Sequence, residues 1–195
     1  MNRTLAWSMG ALALALSQVA AAQQKDIGWY VGGAIGQSKA NDWCSDEGLP
    51  PGGAITSCSD TDTAWKILGG YQFHRNFAVE AQYQELGKVK GTANVAPFGN
   101  VDVSADNTQF AVSILGILPV GDFQLFGKLG YESISQSASA NAAGITLTNS
   151  GSDSGALYGL GAKYAIGQNL RLRAEWEHGD TLNIDVMSVG AEWRF

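Results

Sequence analysis

Apolar and polar residues alternate along the last nine positions of the chain. One set of alternate positions is entirely apolar: Met187, Val189, Ala191, Trp193 and Phe195. The positions between them are small or charged: Ser188, Gly190, Glu192 and Arg194. Successive side chains of a strand point to opposite faces, so this pattern predicts a strand with one apolar face. It suits a transmembrane barrel, apolar towards lipid and polar towards the lumen, although an edge strand of a soluble sandwich also alternates.

The same alternation recurs in seven other segments of the chain. The eight predicted strands are 28–38, 62–73, 77–87, 108–118, 123–133, 155–166, 170–177 and 187–195. Long polar loops are predicted at 40–61, 88–106 and 135–154, and short turns lie between the other strands. Alternation of long and short connections is typical of outer-membrane barrels, with long external loops and tight periplasmic turns.

Charged residues fall on the strand faces opposite the aromatic ones. The candidate lumen charges are Lys66, Glu80, Lys128, Lys163, Arg173 and Glu175. A soluble lipocalin-like cup would have the reverse polarity, with an apolar interior and a polar exterior. The charged faces are unsuited to an apolar pocket, and the aromatic faces are unsuited to water. We therefore predict an all-β fold, an eight-stranded antiparallel up-and-down transmembrane β-barrel.

The amino terminus has the three parts of a secretory signal. Arg3 is a short basic region, 5–16 is an apolar run, and 20–22 is a small-residue cleavage site. The apolar run is too short to cross a bilayer as a helix, which needs about 20 residues. We predict a signal peptide at 1–22 and an outer-membrane barrel domain at 23–195, with the protein exported to the cell outer membrane.

Charge and cysteine content restrict the candidate partners. The net charge of −6 and the lack of a basic stripe argue against nucleic acid. Cys44 and Cys58 are the only cysteines and lie close together in a chain predicted to enter an oxidising compartment. A disulfide between them is therefore predicted. No residue pattern indicates a cofactor or a metal site.

Five segments resemble the OmpA-type outer-membrane β-barrel family. They are WYVGGAIGQS (29–38), LGGYQFHRNFAVEAQYQELG (68–87), GLGAKYAI (159–166), LRLRAEWE (170–177) and SVGAEWRF (188–195). The resemblance implies an inward glutamate at Glu80, paired with basic groups that include Lys128 and Arg173. Lys163 departs from the family archetype, which has an inward glutamate there. The aromatic terminus resembles the signal that the barrel assembly machinery reads, here Ala191, Trp193 and Phe195.

These observations favour an envelope structural or surface-interaction protein whose long loops form the contact surface. The expected partners are outer-membrane lipid, the barrel assembly machinery and a host-cell, phage or other surface ligand. A narrow pore is the alternative, in which Glu80 exchanges partners among Lys66, Lys128 and Arg173. An outer-membrane enzyme is the third alternative, since His178 and Asp180 lie near the predicted outer rim. It ranks last because no serine is placed to act as their partner. The protein is therefore predicted not to be an enzyme.

Overall fold

The computed structural model describes residues 27–41, 54–95, 99–142 and 145–195. Nine strands lie in these ranges: β1 (Gly28–Ala40), β2 (Ala54–Ser59), β3 (Thr61–His74), β4 (Phe77–Val95), β5 (Gly99–Val120), β6 (Phe123–Ala142), β7 (Ile145–Ile166), β8 (Leu170–Gly179) and β9 (Ile184–Arg194). All strands except β2 form a closed antiparallel barrel, in which β1 pairs with β3 and with β9. The predicted fold class is thus confirmed. Within the described ranges, no helix has the length and apolar character needed to cross a membrane.

The outer surface of the barrel is apolar. Trp29, Ile35 and Leu129 are 65 %, 66 % and 69 % exposed, and Leu160 and Val189 are similarly open. These residues alternate along their strands with buried inward residues. The polarity is the reverse of a lipocalin-like cup and matches a wall that faces lipid.

Aromatic pairs lie near both ends of this apolar wall. Near the periplasmic turns, Trp29 packs against Tyr71 with ring centroids 4.9 Å apart. Phe123 and Tyr164 form a second pair at this end. Towards the external end, Trp65 packs against Tyr83 at 6.1 Å, and Tyr158 packs against Trp176. Girdles of this kind anchor a barrel at the two membrane interfaces, because aromatic rings favour the headgroup level.

Two of the three predicted external loops are strands in the structure, so their prediction as loops is wrong. The segments 88–106 and 135–154 continue as paired strands: β4 and β5 pair as far as Val95↔Gly99, and β6 and β7 as far as Ala142↔Ile145. Residues 148–154 are exposed at every position. A strand with water on both faces needs no apolar alternation, so the sequence pattern misses it, while the ladder of backbone hydrogen bonds still forms.

The third predicted loop, 40–61, contains the short strand β2. β2 pairs with β4 from Ala54↔Asn94 to Ser59↔Lys90, and the β4 register shifts between Glu85 and Lys88. We call β2 together with residues 88–95, 99–106, 135–142 and 145–155 the external sheet. It rises from one side of the barrel rim.

The register shift in β4 is held by one carboxylate. Asp62 accepts hydrogen bonds from the backbone N–H groups of Lys88 and Thr63, both at 2.7 Å. Gly87 has a φ of +78°, a left-handed conformation that favours glycine. This is the geometry of a β-bulge, which redirects a strand at a barrel rim.

Two predictions fall outside the described residues. The segment 1–26 includes the predicted signal peptide at 1–22, and 42–53 includes Cys44. The signal peptide and the Cys44–Cys58 disulfide therefore stay predictions.

Candidate functional site: the lumen charge network

All six candidate lumen charges point inward and are buried. Their exposed fractions run from 1 % for Lys163 to 6 % for Glu175. They come from five strands, β3, β4, β6, β7 and β8, so the network joins most of the barrel wall. An inward charge in so narrow a barrel has little access to water, and it is stabilised only by partners of opposite charge and by hydrogen bonds.

Glu80 lies at the centre of the network. It accepts two hydrogen bonds from the Arg173 guanidinium, at 2.6 and 2.8 Å, and one from the Tyr30 hydroxyl at 3.0 Å. Lys128 Nζ lies 2.8 Å from Glu80 Oε1. Arg173 also donates to Glu175 at 2.6 Å, which ties two inward residues of β8 together.

A second group of ion pairs lies further towards the outside. Lys66 contacts both Glu175 and Glu177, the latter at 2.5 Å. Lys128 Nζ contacts Glu177 at 2.7 Å and donates to Gln82 Oε1 at 2.8 Å. Lys128 therefore bridges the Glu80 group and the Glu177 group.

Towards the periplasmic end, aromatic rings share the lumen with the charges. Lys163 pairs with Glu192 at 2.7 Å and lies 4.7 Å from the Tyr30 ring centroid. Arg173 lies 4.6 Å from the centroid of Phe126. Such cation–π contacts are strongest where water is excluded, as it is here.

The predicted set of lumen charges leaves out five members of the network. They are Tyr30, Glu132, Glu177, Glu192 and Arg194, all buried. Each lies on the inward register of its strand, so the alternation alone could have identified it. Among the described residues, five acidic and five basic side chains are buried, and the formal charge of the lumen is therefore balanced.

Glu132 differs from the other buried carboxylates. It is 0 % exposed, and it accepts hydrogen bonds from Gln109 Nε2 and from the Thr181 backbone N–H, the latter at 3.2 Å. Within the described part of the chain, no Lys or Arg nitrogen lies within ion-pair distance of it. Gln109 Oε1 accepts a 3.4 Å hydrogen bond from Gln82, so a chain of side chains links Glu132 to Lys128.

Apolar clusters flank the charges at both ends of the lumen. The periplasmic cluster consists of Tyr30, Leu68, Ala78, Leu115, Ile117 and Phe126. The external cluster consists of Ala64, Leu86, Ile134, Ile184 and Val186, with Leu182 packed against it. A cavity of about 10 Å³, with room for about one water molecule, is lined by residues that include Glu132 and Glu177. Around this cavity, the side chains of the charge network and of the two apolar clusters occupy the described part of the lumen.

His178 lies at the outer rim, away from the network. Its Nδ1 is 2.9 Å from Asp185 Oδ1, and its Nε2 is 3.5 Å from Asp180. Asn41 donates to the other oxygen of Asp185 at 2.7 Å. In the described ranges, no hydroxyl or thiol group is hydrogen bonded to the imidazole, and no cluster of three His, Cys, Asp or Glu residues has metal-binding geometry.

The three residues of the predicted assembly signal lie on β9 and just after it. Trp193 and Phe195 are 50 % and 75 % exposed on the lipid side, and Ala191 shares their face. Their recognition by the assembly machinery stays a prediction.

A closed barrel with an apolar wall, aromatic girdles and a charged lumen defines an outer-membrane β-barrel protein. The chain matches the sequence model of the outer membrane protein beta-barrel domain over residues 9–195, and it belongs to that family. The protein is located in the outer membrane. The resemblance to OmpA-type barrels is confirmed at this level. Among curated protein sequences, none shows significant similarity to this chain.

Several solved outer-membrane barrels are similar in fold. OprG from Pseudomonas aeruginosa has a TM-score of 0.65 at 14 % identity, covering 88 % of this chain and 97 % of OprG. Neisserial surface protein A has a TM-score of 0.54 at 16 % identity, covering 86 % of this chain and 97 % of that protein. Ail, the attachment invasion locus protein of Yersinia pestis, has a TM-score of 0.51 at 14 % identity, covering 87 % of this chain and all of Ail; it was solved with the heparin analogue sucrose octasulfate. At these identities the similarity shows the fold alone.

Proposed function

We propose that this protein is an envelope surface-interaction protein, with the external sheet as its contact surface. The observation that carries the proposal is the extension of β4 to β7 into paired strands beyond the membrane wall. β7 pairs with β8 only from Leu157 onward, so residues 145–156 rise past β8. At about 3.3 Å per residue this is about 40 Å of strand.

The rest of the barrel supports this reading as a scaffold. Ion pairs and apolar clusters in the lumen connect the strands of the barrel wall to one another. A rigid wall of this kind positions the segments that project from it for binding a ligand. The structure of Ail contains a sulfated ligand, a precedent for a ligand on a barrel of this fold. We expect a host-cell, phage or other surface ligand here, bound by the segments 40–61, 88–106 and 135–154.

Other expected properties complete the proposal. Outer-membrane lipid would contact the apolar wall, and the assembly machinery would bind the face of Ala191, Trp193 and Phe195. A disulfide between Cys44 and Cys58 would brace the first external segment. We propose no catalytic role, because His178 has two carboxylate neighbours and no nucleophile among the described residues.

The proposal is tested by shortening one hairpin. Replacing residues 139–148 with an Asn-Gly turn would join Ala138 to Asn149, which already pair in β6 and β7. We expect Gram-negative cells that display this variant to lose adhesion to host cells or phage, at unchanged surface amount. Ser137→Ala keeps the hairpin length and is the matched control. Equal adhesion by the shortened and full-length proteins would refute the proposal.

A narrow pore is the second candidate, and one observation favours it. Lys128 lies near three carboxylates, Glu80 at 2.8 Å, Glu177 at 2.7 Å and Glu175 at 3.6 Å, so it can change partners with little movement. The side chains that occupy the described part of the lumen argue the other way. Single-channel recording of the folded protein in a planar bilayer separates the two: we expect no discrete steps. Reproducible steps that change in Glu80→Ala would establish a pore.

A further inference from the structure

The external sheet has a free edge along β7. Over residues 145–155, β7 pairs with β6 on one side, and among the described residues no strand pairs with the other side. Ala156 marks where this edge begins, because its carbonyl accepts a 3.0 Å hydrogen bond from the Asp180 N–H of the turn after β8. The backbone groups of successive residues in a strand point to opposite sides. Within 145–155, the even-numbered residues therefore point their N–H and C=O groups to the free edge, as Ala156 does to β8.

Four residues present unused backbone groups there. The N–H and C=O of Thr146, Thr148, Ser150 and Ser152 face the edge, and the described residues offer them no partner. The run ends at Ser154, whose N–H donates to the Asp153 carboxylate at 2.8 Å. An edge of this kind is a template for another strand.

This edge lacks the features that normally prevent pairing. The segment ITLTNSGSDSG (145–155) contains one charged residue, Asp153, and no proline or lysine. Its register with β6 is uninterrupted, so no bulge twists it away. Edge strands that must stay unpaired usually have a proline, an inward charge or a bulge.

We propose that this free edge pairs antiparallel with the same edge of a second copy in a facing outer membrane. Two copies in one membrane direct β7 the same way and could align it only in parallel. Copies in facing membranes direct it oppositely, so a two-fold axis between the membranes relates identical edges. This inference rests on the proposed surface-interaction function and names its partner.

The residues of the edge are compatible with such self-pairing. Centring the two-fold axis at Ser150 places Ser150 opposite itself and Thr148 opposite Ser152, all with their backbone groups towards the partner. Asp153 then lies opposite Leu147, so no like charges face each other across the new ladder. Serine and threonine are also compatible as cross-strand pairs.

Proline at the centre of the edge provides the test. Ser150→Pro removes a donor that faces solvent, and it leaves the ladder to β6 intact, as edge positions allow. Ser150→Ala removes only the hydroxyl and is the matched control. Vesicles of phosphatidylethanolamine and phosphatidylglycerol, with the external sheet outward, would be examined by light scattering. We expect wild-type and Ser150→Ala vesicles to cluster, with a several-fold increase in particle size, and Ser150→Pro vesicles to stay dispersed.

Charge complementation tests the register itself. Ser150→Lys places two like charges opposite each other in the paired edges, and so does Ser150→Glu, so vesicles of either variant alone should stay dispersed. Mixing the two should restore clustering, because lysine then faces glutamate. Failure of the mixture to cluster would overturn the pairing at Ser150.

The outcomes also separate this inference from the proposed function. Wild-type vesicles that stay dispersed, or that cluster as well with Ser150→Pro, overturn the self-pairing. If hairpin-dependent adhesion to host cells or phage persists in that case, the proposed function stands without it. Clustering of wild-type vesicles that Ser150→Pro abolishes supports the self-pairing, whether or not such adhesion is found.

Discussion

Arg173 and Glu80 form two hydrogen bonds across the lumen, at 2.6 and 2.8 Å, although 93 positions separate them in the chain. The planar guanidinium matches the two carboxylate oxygens, a geometry that lysine cannot provide. Both side chains are buried, so neither charge has water as an alternative partner. The pair therefore couples β8 to β4 across the barrel.

Removing the Glu80 carboxylate should lower the free energy of unfolding. Glu80→Ala leaves Arg173 and Lys128 without their shared carboxylate in a dry lumen, and breaking a buried pair costs about 3–5 kcal/mol. We expect the free energy of unfolding in urea, measured in detergent micelles, to fall by this amount. Asp106→Ala is the control, because its pair with Lys88 is exposed at 3.0 Å and is worth under about 1 kcal/mol. Similar losses in the two variants would contradict the role of burial.

Neutralising Glu177 and neutralising Glu132 should have different effects on the free energy of unfolding, although both glutamates are buried. Glu177→Gln leaves Lys66 and Lys128 short of negative charge and should lower the unfolding free energy by about 3–5 kcal/mol. Glu132→Gln keeps a hydrogen-bond acceptor for the Thr181 N–H and removes a buried charge that has no cationic partner among the described residues. We expect it to leave stability unchanged within about 1 kcal/mol or to raise it. A large loss in Glu132→Gln would show that its charge is compensated.

The seam between β1 and β9 should be sensitive to one methyl group. A Cβ on Gly190 would overlap the Gly33 carbonyl oxygen and lie 2.6 Å from Ala34 Cα, both backbone atoms. Gly190→Ala should therefore destabilise the closed barrel by about 1–3 kcal/mol, as overpacking does. Gly116→Ala is the control, because its Cβ would meet nothing within 4 Å. Thermal unfolding followed by circular dichroism checks the difference, and equal midpoints would contradict it.

The bulge at the base of the external sheet should depend on pH. Hydrogen bonds from the Lys88 and Thr63 backbone N–H groups lower the pKa of Asp62 below its ordinary 3.8. A lowered pKa means that the ionised carboxylate stabilises the fold above pH 3.8, and that this contribution is lost as the pH falls through the lowered pKa. We expect the NMR shift of the Lys88 amide proton to titrate with a midpoint below 3.8, and this titration to vanish in Asp62→Asn. A midpoint at or above 3.8 would contradict the assignment.

Most of the barrel could be predicted from the sequence because a strand has a side-chain period of two. Apolar residues such as Trp29 and Leu160 had to face lipid, and charged residues such as Lys66 and Glu80 had to face the lumen. Residues 148–154 of the external sheet gave no such signal, because they are exposed on both faces of their strand. Segment 135–154 is rich in serine, alanine and asparagine and reads as a loop. Its strand structure depends on ladder hydrogen bonds to neighbouring strands, and those neighbours are defined only by the closed fold.

The sequence by itself determined which side chains enter the lumen, their charges and the medium outside the wall. Only the tertiary structure decided which charges meet. Strand stagger sets the height of each inward residue, and this places Arg173 at Glu80, Lys163 at Glu192, and Glu132 beside Gln109 and away from the lysines. Among the described residues it also left the edge of β7 at Ser150 without a neighbouring strand, because the β7–β8 ladder ends at Leu157↔Gly179. Side-chain period is a local property of the chain, whereas stagger and strand length relative to a neighbour belong to the assembled sheet.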